Sequence, residues 1–189
     1  MEKYLKILNN IEKSKQPYMY DVVNVGEQNS EYLLVYLKGK LYSEFLLYSA
    51  QDNTEPVGCV VLRVAKNECT INTLKTNVKI QGQGIGKTMF NLACGYADLK
   101  GATTVKGKIV PIGNIAGVPS KHATLETEAL IKIYEKLGAK VTICKADDPS
   151  FVCEFEQGEK FECLPDSQKD FLIKINILEK LQKNKGFKR

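Results

Sequence analysis

The stretch Gln81-Gly82-Gln83-Gly84-Ile85-Gly86-Lys87-Thr88 decides how the chain is read. It stands between a β-textured run that ends near Thr76 and a helical run that begins at Ile85. Three glycines in five residues suit neither a strand nor a helix interior, because each loses much backbone entropy on folding. They suit a place where the backbone must approach a ligand closely. The helix that starts here offers its first unpaired N–H groups and the positive end of its dipole. Together these make an anion site, most naturally for a phosphate or pyrophosphate. A turn that binds nothing is the competing reading, and the placement between strand and helix argues against it.

Working outward, residues 2–13 put Tyr4, Leu8 and Ile11 at helical spacing, which predicts a short amphipathic helix. Residues 17–23, 31–37, 41–48, 57–64 and 69–76 are rich in aromatic and branched side chains and read as an antiparallel meander. After the glycines, Ile85, Met89, Leu92, Ala93 and Tyr96 mark a helix that stops at Gly101. A strand follows at 103–110, then a long loop over 111–123. Leu130, Ile133, Tyr134 and Leu137 mark another helix, closed by Gly138. Strands are expected at 139–144 and 151–155, with a further one at 160–163. Ser167 with Asp170 resembles a capping box for a last helix carrying Phe171, Ile175 and Leu178. Strands first, then strand–helix–strand–helix–strand, predict one mixed α/β (α+β) domain over 1–165. Its mostly antiparallel sheet of about six to eight strands is flanked by helices. Residues 166–189 form a C-terminal helix and basic tail.

The bulk properties narrow the function classes. The chain has 189 residues, 43% of them hydrophobic and 26% charged, as expected of one ordinary globular domain. No run of about 18 apolar residues is present, so no membrane partner is expected. The net charge of +5 comes from the last ten residues, five of them basic, and the remaining body carries 22 charges of each sign. Only Arg63 and Arg189 are arginines, the residue that base-edge and phosphate readers favour, so no nucleic-acid partner is expected. Six cysteines and one histidine, His122, show no metal-ligand spacing, which leaves no metal site. Reduced thiols and the lack of a signal-like apolar run make a cytoplasmic location the expectation. High Lys and Asn with little Arg hints at a bacterial source.

Two nucleotide motifs nearly fit the glycine stretch. Gly86-Lys87-Thr88 supplies the end of a P-loop, but its first glycine would fall at Gln81, which leaves a P-loop-like nucleotide binder as a weaker alternative. The dinucleotide fingerprint fails because the glycines run 82, 84, 86. The pattern that fits unadjusted is Q/R-x-x-G-x-G/A, as Gln81-x-x-Gly84-x-Gly86. It resembles the pyrophosphate loop of the GNAT superfamily of N-acetyltransferases, and Tyr134-Glu135-Lys136-Leu137-Gly138 is similar to the end of that family's fourth helix. The resemblance covers residues 57 to 143.

The resemblance implies acetyl-CoA as cosubstrate and a small-molecule or peptide amine as acceptor, attacked directly in a ternary complex. It places the loop residues Gln81, Gly82, Gln83, Gly84, Ile85, Gly86, Lys87 and Thr88 at the pyrophosphate. Leu74, Lys75 and Thr76 take the strand edge that pairs with the pantetheine arm, with an amide near Thr76 polarising the acetyl carbonyl. Tyr134 matches the tyrosine that protonates the leaving thiolate, against the plainer role of a core side chain on an apolar stripe. The family's strand glutamate falls at Thr70, so Glu68, two residues earlier, is the candidate base, against a solvated turn residue. His122 is a further loop candidate, and Thr127 stands where the family often has a CoA-contacting Asn. The strand texture of residues 17–56 replaces the usual acceptor-binding helices. That difference and the missing glutamate motivate an alternative, a catalytically inactive acyl-CoA-binding or interaction module. The family often forms dimers, so the resemblance allows a homodimer.

Overall fold

The structure, a computed structural model, describes residues 2–13, 18–26, 29–51, 55–77, 82–109, 127–143 and 149–186. After a 3-10 turn come α1 (Leu5–Lys13), β1 (Tyr18–Val25), β2 (Ser30–Lys38), β3 (Ser43–Ser49), β4 (Gly58–Ala65) and β5 (Glu68–Thr76). Then follow α2 (Ile85–Leu99), β6 (Thr104–Lys108), α3 (Thr127–Lys136), β7 (Lys140–Thr142), β8 (Ser150–Glu154), α4 (Glu159–Glu162) and α5 (Asp166–Gly186). The strands form one eight-stranded sheet in the order β1-β2-β3-β4-β5-β6-β8-β7. Every described pairing is antiparallel except β5–β6. The expected mixed, mostly antiparallel sheet with flanking helices and a C-terminal helix is the observed fold.

Both faces of the sheet are covered, which explains why β2 reads as a continuous apolar run instead of an alternating one. Leu33 and Val35 face α1, packing with Tyr4, Ile7, Leu8 and Ile11. Leu34 and Tyr36 face the other way, into a larger core with Phe45, Met89, Phe90 and Tyr96. α5 joins that larger core through Phe171, Leu172 and Ile175.

Two buried carboxylates fasten the far end of α2. Asp98, 3% exposed, accepts the backbone N–H groups of Gly158, Lys160 and Phe161 at 2.6, 2.9 and 2.9 Å. It therefore caps α4 from another helix. This corrects the strand expected at 160–163: the segment alternates like a strand, yet an acid 62 residues away in sequence holds it helical. Glu179 of α5 accepts hydrogen bonds from Tyr36 and Tyr96 and ion-pairs with Lys38 at 2.7 Å and with Lys100. α5 starts at Asp166, directly after Pro165, so Ser167 lies inside its first turn and not ahead of it as a capping residue. In α3, Ile133 is 41% exposed and only Tyr134 is buried.

Candidate functional site

A bulge in β5 sets the geometry of the site. Val61 pairs with Thr73 but Leu62 pairs with Ile71, so Asn72 is an extra residue on β5. Such a bulge bends a strand and raises its twist. The parallel ladder to β6 runs from Glu68–Thr104 to Ile71–Gly107 and ends there. Beyond it, Thr73 to Thr76 keep their partners on β4, while their other edge has left β6. A strand edge with unclaimed N–H and C=O groups can pair with an extended ligand. Leu74 and Thr76 on that edge are half-buried and Lys75 is exposed.

The glycine stretch stands at the end of this edge. Gly82 and Gly84 have φ of +84° and +79°, the left-handed region that side-chain-bearing residues rarely adopt. Gly84 is the residue before α2, and no side chain caps it. The first intrahelical bond runs from Thr88 N–H to Gly84 C=O at 2.9 Å, which leaves the Ile85, Gly86 and Lys87 amides without a helical acceptor. The Ile85 side chain is 1% exposed and belongs to the core, so only its backbone faces a ligand. Gly86 lies against Thr76: a Cβ there would stand 3.4 Å from Thr76 Cγ2. Loop and strand edge therefore meet.

Tyr134 closes the arrangement from α3. Its ring stacks on Phe151 with centroids 4.3 Å apart and planes at 15°, and Phe90 meets it edge-on at 5.7 Å. Phe151 in turn covers Gly107, where a Cβ would come within 2.7 Å of the phenyl ring. Tyr134 thus sits near the point where β5 and β6 part. Burial pushes its phenol up to about 12, so it keeps its proton throughout the neutral range. Thr127 opens α3 and is half-buried.

Glu68 is half-buried at the start of β5. It stands at the opposite end of β5 from Thr76, about 26 Å away at strand rise, and ion-pairs with Lys106 at 2.7 Å. Gln81 and His122 lie outside the described residues. No group of three or more His, Cys, Asp or Glu side chains among the described residues could hold a metal ion, and no described helix is long and apolar enough to cross a membrane.

Sequence reasoning missed a second feature beside the loop. A cavity of about 520 Å³ opens between the loop, the β1–β2 turn, α2 and the start of α5, with Tyr32, Asn91 and Gln168 in its wall. Gly26 of the β1–β2 turn abuts the loop so closely that a Cβ there would lie 2.6 Å from the Gln83 carbonyl oxygen. The glycine itself was visible in the sequence, but the contact joins residues 57 apart and has no local signature.

Comparison with known proteins bears on both the fold and the loop. The model of the acetyltransferase (GNAT) family matches residues 8–116. A cAMP-binding acyltransferase from Mycobacterium smegmatis aligns over 90% of this chain and 60% of its own, with a TM-score of 0.59 and 10% identity. The PaiA N-acetyltransferase from Thermoplasma acidophilum, in complex with coenzyme A, aligns over 61% of this chain and 62% of its own, at 17% identity and a TM-score of 0.45. The ribosomal-protein-S18-alanine N-acetyltransferase from Escherichia coli aligns over 61% of this chain and 68% of its own, at 18% identity and a TM-score of 0.41. The chain thus spans less than two thirds of the Thermoplasma and Mycobacterium proteins. No curated protein matches.

Proposed function

Because the chain belongs to the GNAT acetyltransferase family, whose model matches more than half of it, we propose that it transfers an acetyl group from acetyl-CoA to a primary amine in a ternary complex. The parting of β5 from β6 beside an uncapped helix start carries this reading. The unclaimed amides of Ile85, Gly86 and Lys87 take the pyrophosphate, helped by the dipole of α2. The free edge of Leu74, Lys75 and Thr76 pairs with the pantetheine arm, which runs from the loop beside Thr76 back toward the bulge at Asn72 and Tyr134. Acetyl-CoA supplies an activated thioester, which the amine attacks directly. Tyr134, still a neutral phenol, hydrogen-bonds or protonates the departing thiolate. Glu68 is held by Lys106 at 2.7 Å, and the amine's proton leaves through water. The acceptor is a small molecule or peptide, and the site is cytoplasmic.

One observation favours a second reading. With Glu68 held by Lys106 at the other end of β5, an acyl-CoA-binding module without turnover is the alternative. The mostly antiparallel sheet disfavours the P-loop-like nucleotide reading, since that loop belongs to a strand–loop–helix unit of parallel sheets.

A thermal-shift titration with acetyl-CoA, CoA and ATP-Mg on wild type and Gly84→Glu tests the binding step. A ligand at 100 times its Kd adds about 2.7 kcal/mol, which is read as a rise of a few degrees. The CoA species should stabilise wild type and not the variant; no CoA response in wild type refutes the proposal. For the transfer step, thiol release with an amine panel should fall about 100-fold in Tyr134→Phe while its acetyl-CoA shift is kept. Binding without thiol release from any amine selects the second reading.

A further inference from the structure

α5 sets one face in the core and leaves the opposite one open. Phe171, Leu172 and Ile175 are completely buried. On the other side of the helix, Ile173, Ile177 and Leu181 are 43%, 54% and 55% exposed. Their spacing of i, i+4 and i+8 puts them in one apolar stripe on a helix of 3.6 residues per turn. Exposed apolar residues are ordinary when scattered singly, whereas an aligned set of three marks a surface that binds something.

The charges along this stripe say what covers it. Asp170, Ile173, Ile177 and Lys180 follow one another at intervals of three, four and three residues, the seam spacing of two paired helices. Asp170 and Lys180 are exposed and make no ion pair among the described residues. Two other lysines of the helix are already engaged, Lys169 with Glu162 at 3.2 Å and Lys174 with Asp21 at 2.6 Å. Lys180 stands six residues before Gly186, too far inside the helix for the dipole at its end to account for the charge. The seam therefore reads acid, apolar, apolar, base. Laid antiparallel on a second copy, about a two-fold axis at the level of Ile175, it complements itself. Each Ile173 then meets Ile177 of the other copy, and each Asp170 meets Lys180 of the other copy. A parallel pairing sets Asp170 against Asp170 and Lys180 against Lys180, so the charges select the antiparallel one.

We propose that the outer face of α5 is a homodimer interface, in which two copies of the chain pair their α5 helices antiparallel. Ile173 and Ile177 form its centre, and an Asp170–Lys180 ion pair closes it at each end. Leu181, next to Lys180, borders the seam and enlarges its apolar area. Phe171, Leu172 and Ile175 stay in the core of their own copy, so neither partner rearranges to pair. The contact uses the same face of both copies, and so it stops at two chains. Four layers make a small interface, for which association in the micromolar range is expected. The interface stands whether or not the chain turns over acetyl-CoA.

The test is sedimentation equilibrium of the whole chain across the micromolar range, at low salt, where exposed charges act most strongly. Wild type should rise from one chain mass to two. Asp170→Lys and Lys180→Asp each place like charges in both end layers, and each should raise the Kd about tenfold or more. The double variant Asp170→Lys with Lys180→Asp restores opposite charges in both layers and should return the Kd to near the wild-type value. Ile177→Gln removes the apolar centre and should leave only monomer. These positions are exposed, so every variant should keep the wild-type circular dichroism and its response to acetyl-CoA. The inference fails if wild type stays monomeric throughout, if neither single reversal weakens the dimer, or if the double reversal is no tighter than the singles. A dimer that persists in Ile177→Gln overturns it as well, and that variant carries the comparison should a charge reversal not fold. Acetyl-CoA binding is read separately, so failure here leaves the transferase proposal untouched.

Discussion

The two ends of α2 are built in opposite ways. At its start, a left-handed glycine replaces a capping side chain, three amides have no helical acceptor, and alongside stands a strand edge with no partner among the described residues. At its end, the polar side chains of Tyr96, Asp98 and Lys100 are all paired. Tyr96 bonds to Ser43 and Glu179, Asp98 holds three amides of α4, and Lys100 binds Glu179 and Asn176. One helix thus carries an anchored end and an unsatisfied end. Unsatisfied backbone is costly in a fold and useful in a site, because a ligand can supply the missing partners. Mutations at the anchored end should therefore change stability and leave ligand affinity alone, and those at the glycine end should do the reverse.

The largest effect is expected at Glu179. Truncation to alanine removes the buried carboxylate that Lys38, Lys100, Tyr36 and Tyr96 share, and breaking such a charged pair costs about 3–5 kcal/mol. Glu179→Ala should lower the urea midpoint accordingly, while the surviving folded protein binds acetyl-CoA as wild type does. A fall in affinity equal to the fall in stability would show that the two ends are not separable. The same residue gives a pH signature. Burial alone would push its carboxyl up, but hydrogen bonds from Lys100, Lys38 and Tyr36 outweigh this and hold it down at about 2, against an ordinary value of 4.5. A lowered folded pKa stabilises above the unfolded value and loses that contribution as pH falls. The stability gap between wild type and Glu179→Gln should thus be full above about pH 4.5 and shrink toward pH 2.

Asp98 should follow with a smaller loss. Asp98→Ala strips three backbone donors of their acceptor but leaves no buried cation behind, so about 2–3 kcal/mol is expected. Hydrogen exchange gives the specific reading, since the amides of Gly158, Lys160 and Phe161 should lose protection first. Unchanged exchange at those three would mean that packing alone holds α4.

What could be read from the sequence follows the same division. The glycine stretch was legible because its signal is local: backbone freedom, a strand before it and a helix after it. β1 to β5 were legible because aromatic and branched residues crowd them. The strand expected at 160–163 failed because Lys160-Phe161-Glu162-Cys163 does alternate, and only a distant carboxylate overrides that pattern. Glu68 was chosen by strand parity, which fixes the face of a sheet; its ion pair with Lys106 on β6 joins residues 38 apart and has no local mark. Gln168 carried no signal at all, since its burial depends on how α5 seats against α2. Local conformational needs leave marks in sequence; pairings across tens of residues do not.

The smallest effect sharpens the comparison most. Gly82 and Gly84 share the left-handed backbone, but their surroundings differ. A Cβ at Gly82 meets nothing within 4 Å, whereas one at Gly84 stands 3.5 Å from the Gly26 backbone, an ordinary van der Waals contact. Gly82→Ala should therefore lose only the conformational term, about 1 kcal/mol. Gly84→Ala has that same strain, and it adds a methyl between the Gly26 backbone and the unclaimed amides at the start of α2. The two variants should melt within about 1 kcal/mol of each other while Gly84→Ala alone weakens acetyl-CoA binding. Equal affinities in the two would mean that the loop acts through its conformation as a whole. A selective loss at Gly84 would place the ligand against the first turn of α2, at the end of the helix that the protein leaves unsatisfied.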